Sequence, residues 1–327
     1  MHRHTPAPDL CTTQKQSVPI MKMDTLKNTA ANETVTTANY RPIERVIAPP
    51  RAHMVGDGFR VHGFLPATVG MQRMSPFIVM DYNSKWEVPA GTTPRGVGVH
   101  PHRGFETVTI AYKGRVAHHD SSGGGGVIGE GDVQWMTAAS GVLHKEYHEE
   151  EFSKKGGIFQ MVQLWVNLPA KDKMSTPKYQ AISHAQMAQH ALPGNGGTME
   201  VIAGNYQGTQ GPATTFTPVH LYNARLNQGG KAELEFPANF NTALLVIEGS
   251  IRVNGTEQVP TDHFVLMANA EGKIEIEATE QAVVLVLSGE PINEPMATYG
   301  PFVMNTEADI RQAIDDFNQG KFGYLED

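Results

Sequence analysis

The sequence predicts an all-β chain: two tandem β-barrels followed by a short C-terminal helix. Short segments from Tyr40 onward alternate apolar and polar residues with the period of a strand. A strand, a Gly turn and a return strand around Val108–Val116 recur in the same layout at Ala243–Gly255. Gly and Pro number 33 and 21, enough to punctuate many short strands. The 327 residues fit about two domains at ~150 residues each.

Composition narrows the function classes. Apolar residues make up 40% and charged residues 18%, so a sizeable core is affordable. The net charge of -8 and the lack of a basic run argue against a nucleic-acid surface. Cys11 is the only cysteine and cannot form an internal disulfide. A reducing, cytoplasmic setting is therefore the expectation. No run of 18 apolar residues occurs, so no membrane-spanning helix is expected.

Residues 1–40 are rich in Thr, Asn and Gln and poor in large apolar residues. They read as a disordered tail. A first barrel is expected over 41–185. Arg45-Val-Ile-Ala is a short strand ended by Pro49-Pro50, and Gly58–Leu65 alternates with Phe59, Val61, Gly63 and Leu65 on one face. Pro76–Asp81 is a short apolar run, where Asp81 is expected to cap the next turn rather than lie buried near a site. His53 and His62 lie outside any ligand spacing and read as ordinary polar residues.

The chemistry concentrates between His100 and Glu146. His100-Pro-His102 opens this stretch and His144-Lys-Glu146 closes it. Residues i and i+2 of a strand share a face, with Cα atoms about 6.5 Å apart. Two such pairs facing each other across a barrel would bring three imidazoles and a carboxylate to one point. Such donors, with no thiolate, suit Fe, Mn, Ni, Cu or Zn. Glu106 has the right parity too, so spacing alone leaves two carboxylates open. Between the pairs, Phe105–Tyr112 and Arg115–Asp120 read as a strand and its return. Ser121–Gly126 reads as a hairpin connection rather than a phosphate loop, because no helix follows it. Beyond the site, Gly157–Asn167 is a long strand with Met161, Gln163 and Trp165 on one face. Met136, Met161 and Trp135 read as core rather than cavity lining.

The His-x-His, Gly131-Asp132 turn and later His144 are similar to the two-part signature of cupins, though Thr137-Ala-Ala139 stands where many cupins have Pro-x-Gly. A narrower likeness is stronger. His100-Pro-His-Arg-Gly-Phe-Glu-Thr-Val108, Gly131-Asp-Val-Gln-Trp-Met-Thr-Ala138 and Gly141-Val-Leu-His-Lys-Glu146 resemble pirins. So do Leu164-Trp-Val-Asn-Leu168 and Gly300-Pro-Phe-Val-Met-Asn-Thr306. The resemblance runs in order from about Arg45 to Phe322. It implies a bicupin of two jelly-roll-like barrels, with His100, His102, His144 and Glu146 as metal ligands. Glu106 would then be structural, since strand parity need not survive the Gly104-Phe105 step.

The second barrel is expected over 200–290. An interdomain linker falls near Leu192-Pro-Gly-Asn-Gly-Gly197, after a short helical pattern within 181–199. No His-x-His precedes the Ala243 strand, and His220 and His263 stand alone, so one metal per chain is expected. Residues 291–327 should return to pack on the body. Their helix spans Glu307–Asn318, with Thr306 as cap and Ile310, Ala313, Ile314 and Phe317 as its apolar stripe.

The resemblance implies an oxidoreductase with quercetin 2,3-dioxygenase activity on a flavonol-type substrate and O2, with Fe(II) as the expected metal. A flavonol 3-hydroxyl would lose its proton to Glu146 or to a hydroxide on the metal, before the ring opens with loss of carbon monoxide. The alternative it implies is an iron-bearing, redox-sensitive regulatory protein, a transcription cofactor acting through protein partners without direct nucleic-acid contact.

Overall fold

The computed structural model describes residues 39–326; the expected tail lies outside them except for Asn39 and Tyr40. The described chain forms two cupin barrels of like construction, each pairing a seven-stranded antiparallel sheet with a four-stranded one. In the first barrel the larger sheet runs Lys178–Ile182, Val133–Thr137, Phe105–Lys113, Gly157–Asn167, Phe77–Val88, Phe59–Leu65, His53–Val55. Its smaller sheet holds Gly96–His102, Val142–His148, Val116–Asp120 and Gly125–Ile128. In the second barrel the larger sheet is centred on Asn241–Glu248, Ala282–Gly289 and Val219–Leu226.

Four local expectations change. The first strand, Ile43–Ile47, pairs with Phe264–Met267 in the second barrel, so the chain of the first barrel crosses over near its start. Alternation marks such a strand without naming its partner. Arg41 explains the crossing: its buried guanidinium donates to the carbonyls of Ala268 at 2.7 Å and Phe240 at 2.6 Å. The helical pattern expected within 181–199 gives way to two 3-10 turns, His184–Gln186 and Pro193–Asn195, among strands. Ala188–Leu192 and Gly197–Ala203 pair at the edge of the second barrel, absorbing the expected linker into a sheet. Finally, the strand after Pro76 runs on to Val88, so Asp81 sits within it instead of capping a turn.

The two larger sheets pack back to back. The largest apolar cluster draws Val108, Ile110, Trp135, Val162 and Leu164 from the first barrel, and Leu221, Leu245, Phe264 and Leu285 from the second. Phe64 stacks on Phe264 with centroids 5.4 Å apart. Hydrogen bonds cross this layer: Tyr82 donates to Asp262 at 2.7 Å and Tyr112 to Asn223 at 2.7 Å. Because side chains alternate along a strand, the residues between these face the interior of the first barrel. Those are Thr107, Thr109 and Ala111 on one strand, and Phe159, Met161, Gln163 and Trp165 on its neighbour.

The C-terminal segment returns to the first barrel. Thr306 caps the helix Glu307–Asn318 in a reciprocal pair with Asp309. Ile310 and Ala313 bury against Phe302, Met304 and Phe322, while Phe317 stays partly exposed. Asp316 meets Arg103 at 2.8 Å, and the buried Lys173 ammonium donates to Gly104, Asn167 and Val303 oxygens at 2.6–2.9 Å. Gly104, at φ +90°, is the corner where the chain leaves the smaller sheet for the larger; a Cβ there would stand 2.0 Å from the Val303 carbonyl oxygen. Gly104→Ala combines left-handed strain with that clash and should cost about 2 kcal/mol or more. The expected outcome is a melting temperature lowered by roughly 4–8 °C, read by circular dichroism.

Candidate metal centre

His100 and His102 lie on Gly96–His102, and His144 and Glu146 on Val142–His148. These strands are hydrogen-bonded neighbours in one sheet, not facing strands across the barrel as the spacing suggested. His144 pairs with His100 directly, and a bulge at Gly98–Val99 on the His100 strand then sets Glu146 opposite Val97. The ring centroids of His100, His102 and His144 are 4.2–4.8 Å apart. One nitrogen from each ring lies within 4.8 Å of the others, an arrangement that could hold a metal ion. His100 Nδ1 donates to the Gly98 carbonyl at 2.8 Å, which leaves its Nε2 lone pair free. His102 Nδ1 and His144 Nε2 are buried without hydrogen-bond partners. Burial, then the neighbouring imidazoles, lowers the pKa of both His102 and His144, so both are held neutral. Neutral, orphaned imidazole nitrogens converging on one point are the donor set that a divalent transition metal takes.

Glu146 is gripped from the opposite sheet. Its Oε1 accepts from Gln134 at 2.5 Å and Thr109 at 3.3 Å, and its Oε2 from Gln163 at 2.6 Å. The three donors form a single row across neighbouring strands, since Gln163 pairs with Thr109 and Thr109 with Gln134. Burial alone would raise the Glu146 pKa; His118, Gln163 and His100 outweigh it and hold the carboxylate ionised.

His118 was not anticipated, yet it is fully buried beside the cluster. Its Nδ1 lies 3.4 Å from His144 Nδ1 and 3.7 Å from Glu146, and its Nε2 lies 3.3 Å from Asp120. His118, His144 and Glu146 form a second set of donors that could hold an ion, sharing His144 with the first. Burial lowers the His118 pKa, but Asp120 and Glu146 outweigh it and raise the value overall; once His118 is neutral, its Nε2–H donates to Asp120 and its Nδ1 accepts from His144 Nδ1–H. That chain frees the lone pair on His144 Nε2. The signal lay in the sequence: His118 and Asp120 are two apart on a return strand, the same spacing as the other two pairs. His148 continues the alternation of His144 and Glu146 but is enclosed by Phe59, Phe152 and Phe159 instead.

Glu106, the other carboxylate with suitable parity, is not brought to the cluster. It is buried, accepts from Thr137 at 2.7 Å, and burial pushes its pKa up to about 7. The sheet change at Gly104 breaks the parity that linked it to His102.

A cavity of about 260 Å³ opens onto His100, His102 and Glu146. Its other walls include Val55, Phe59, Val61, Val97, Met161 and Trp165. Met161 therefore lines the cavity, whereas Trp135 lies in the layer between the barrels and Met136 packs with Ala138 and Val142. Asp81 also lines the cavity, and burial pushes its carboxyl up to about 6, with His53 opposing. A raised pKa means that the folded chain keeps this proton after the unfolded chain has lost it, so the contribution to stability falls as pH rises from about 4 to about 6. The shift from 3.8 to about 6 corresponds to about 3 kcal/mol. In metal-free protein, Asp81→Asn should match the parent near pH 4 and melt several degrees higher at pH 7. Equal melting curves at both pH values would contradict the burial of this charge.

Comparison with known proteins agrees with this architecture. The pirin family profile matches residues 58–166, and the profile for the pirin C-terminal cupin domain matches 221–323. A Pseudomonas aeruginosa protein with a provisional quercetin 2,3-dioxygenase name is 48% identical over 270 residues, 83% of this chain and 94% of its own. A pirin-like protein of Caulobacter vibrioides is 38% identical over 269 residues, covering 82% and 94%. The crystal structure of a quercetin 2,3-dioxygenase from Acinetobacter baumannii superposes with a TM-score of 0.83 at 46% identity, covering 88% of this chain and all of that one. The chain belongs to the pirin family, a family of bicupins.

Proposed function

We propose that the chain is a metal-dependent dioxygenase that opens a flavonol-type substrate with O2, and that His100, His102, His144 and Glu146 hold one divalent metal, iron(II). The observation that carries the reading is the cavity: imidazole rings and an ionised carboxylate at one end, apolar and aromatic walls at the other. Its volume of about 260 Å³ is at the small end for ligand sites, which suits a flat ring system. The names of the Pseudomonas and Acinetobacter relatives support the same substrate class.

A bound metal would supply Lewis-acid polarisation of a phenolic oxygen and a redox route to O2. The chain's own residues do the rest. Glu146 Oε2 bears only the Gln163 donor and accepts the proton of the substrate hydroxyl. Gln134 and Thr109 on Oε1 keep the carboxylate in place during that transfer. Trp165 and Met161 pack against the ring system, and Val55, Val61 and Val97 keep bulk water from it.

Reconstituted with iron(II) and exposed to air, the protein should bleach flavonol absorbance and release carbon monoxide. Glu146→Gln should lower turnover by roughly 10²-fold or more, whereas Glu106→Gln should keep the metal. Unchanged turnover in Glu146→Gln would refute its role as base. His118→Asn should weaken metal affinity about 10–100-fold, measured by chelator competition; an unchanged affinity would remove His118 from the support of His144.

A further inference from the structure

The row that grips Glu146 has one more member. Gln163 pairs with Thr109 on one side and with Asp81 on the other. Asp81, Gln163, Thr109 and Gln134 therefore stand in line across adjacent strands. Thr109, Gln134 and Gln163 spend their donors on Glu146. Asp81 has no donor to offer, and no hydrogen bond reaches its carboxylate among the described residues. Beyond it the row ends at Gly63, where a Cβ would come within 3.3 Å of Asp81 Oδ1. The missing side chain leaves the carboxylate open on that side. Among the described residues the titratable group facing it is His53, on the neighbouring edge strand.

The Asp81 side chain is partly exposed, so a ligand that fills this largely apolar cavity strips water from its carboxylate, which is costly unless the ligand brings it a donor. We infer that Asp81 is a substrate-binding residue that accepts a hydrogen bond from a second hydroxyl of an aromatic ligand whose first oxygen lies at the His100/His102/Glu146 end of the cavity. One strand spacing, about 5 Å, separates Asp81 from the Gln163 that touches Glu146, about the width of an aromatic ring. The site thus selects polyhydroxylated ring systems over singly hydroxylated ones, because a ligand without the donor displaces water from the carboxylate and leaves it unpaired. This inference rests on the flavonol reading above.

The test is binding by iron(II)-loaded protein under argon, read by quenching of tryptophan fluorescence, since Trp165 lines the cavity. The probes are 3-hydroxyflavone and dihydroxyflavones carrying the second hydroxyl at position 5, 7 or 4′. The best dihydroxyflavone should bind the parent protein at least about tenfold more tightly than 3-hydroxyflavone. That ratio should fall towards one in Asp81→Leu and lie between in Asp81→Asn, whose amide oxygen accepts without a charge. Asp81→Asn is nearly isosteric, so it carries the test if the leucine variant does not fold. Binding of all the probes without discrimination, or a ratio unchanged in both variants, overturns the role of Asp81 and leaves the flavonol reading standing. Failure of the parent to bind any of them overturns both.

Discussion

The first barrel is organised around a carboxylate removed from water. Glu146 is 4% exposed, and an unpaired charge at that depth costs several kcal/mol. Donors must therefore come from the protein, and they come from three strands of the opposite sheet in one register. A slip of one residue in any of them would turn its donor outward. The requirement reaches further than Glu146. Inward positions that could have been Val or Leu are Thr109, Gln134, Gln163 and Asp81, and the apolar interior of this barrel shrinks to a small cluster around Phe59, Ala111 and Phe159.

Stability has to come from elsewhere, and the layer between the barrels supplies it. The larger sheet of the first barrel is buried on both faces, so the face turned from the site is free to be mostly apolar. The second barrel contributes the matching face and keeps a largely apolar interior of its own, with Val201, Leu244, Ile276 and Val286. Its lone histidines are engaged structurally, His220 with Tyr222 at 2.7 Å and His263 with the Thr261 carbonyl at 2.9 Å. Neither belongs to a metal-type cluster among the described residues. The first barrel carries the polar chemistry while the second acts as a rigid backing for it.

The C-terminal segment completes the support. Pro301 reaches the cavity wall, and Arg103, next to His102, is fixed by Asp316, the Ser140 carbonyl and the face of Phe322. The ends of the described chain thus brace different barrels: the residues near Arg41 lace into the second, and those near Asp316 clamp the first.

Local pattern in the sequence determined much of this. Strand parity put His100 with His102 and His144 with Glu146, and the recurrence of a strand, Gly turn and return strand announced a second barrel. Thr306 and the apolar stripe marked the last helix. Parity speaks only of faces along one strand. It does not say which strands become neighbours, which sheet opposes which, or where a chain changes sheets. Hence the cluster forms between adjacent strands, Ile43–Ile47 joins the other barrel, and the corner at Gly104 takes Glu106 away from His102. His118 and Asp81 become part of the site for the same reason: their neighbours on the cluster and on the cavity wall are distant in sequence, and only the folded register of the sheets brings them together.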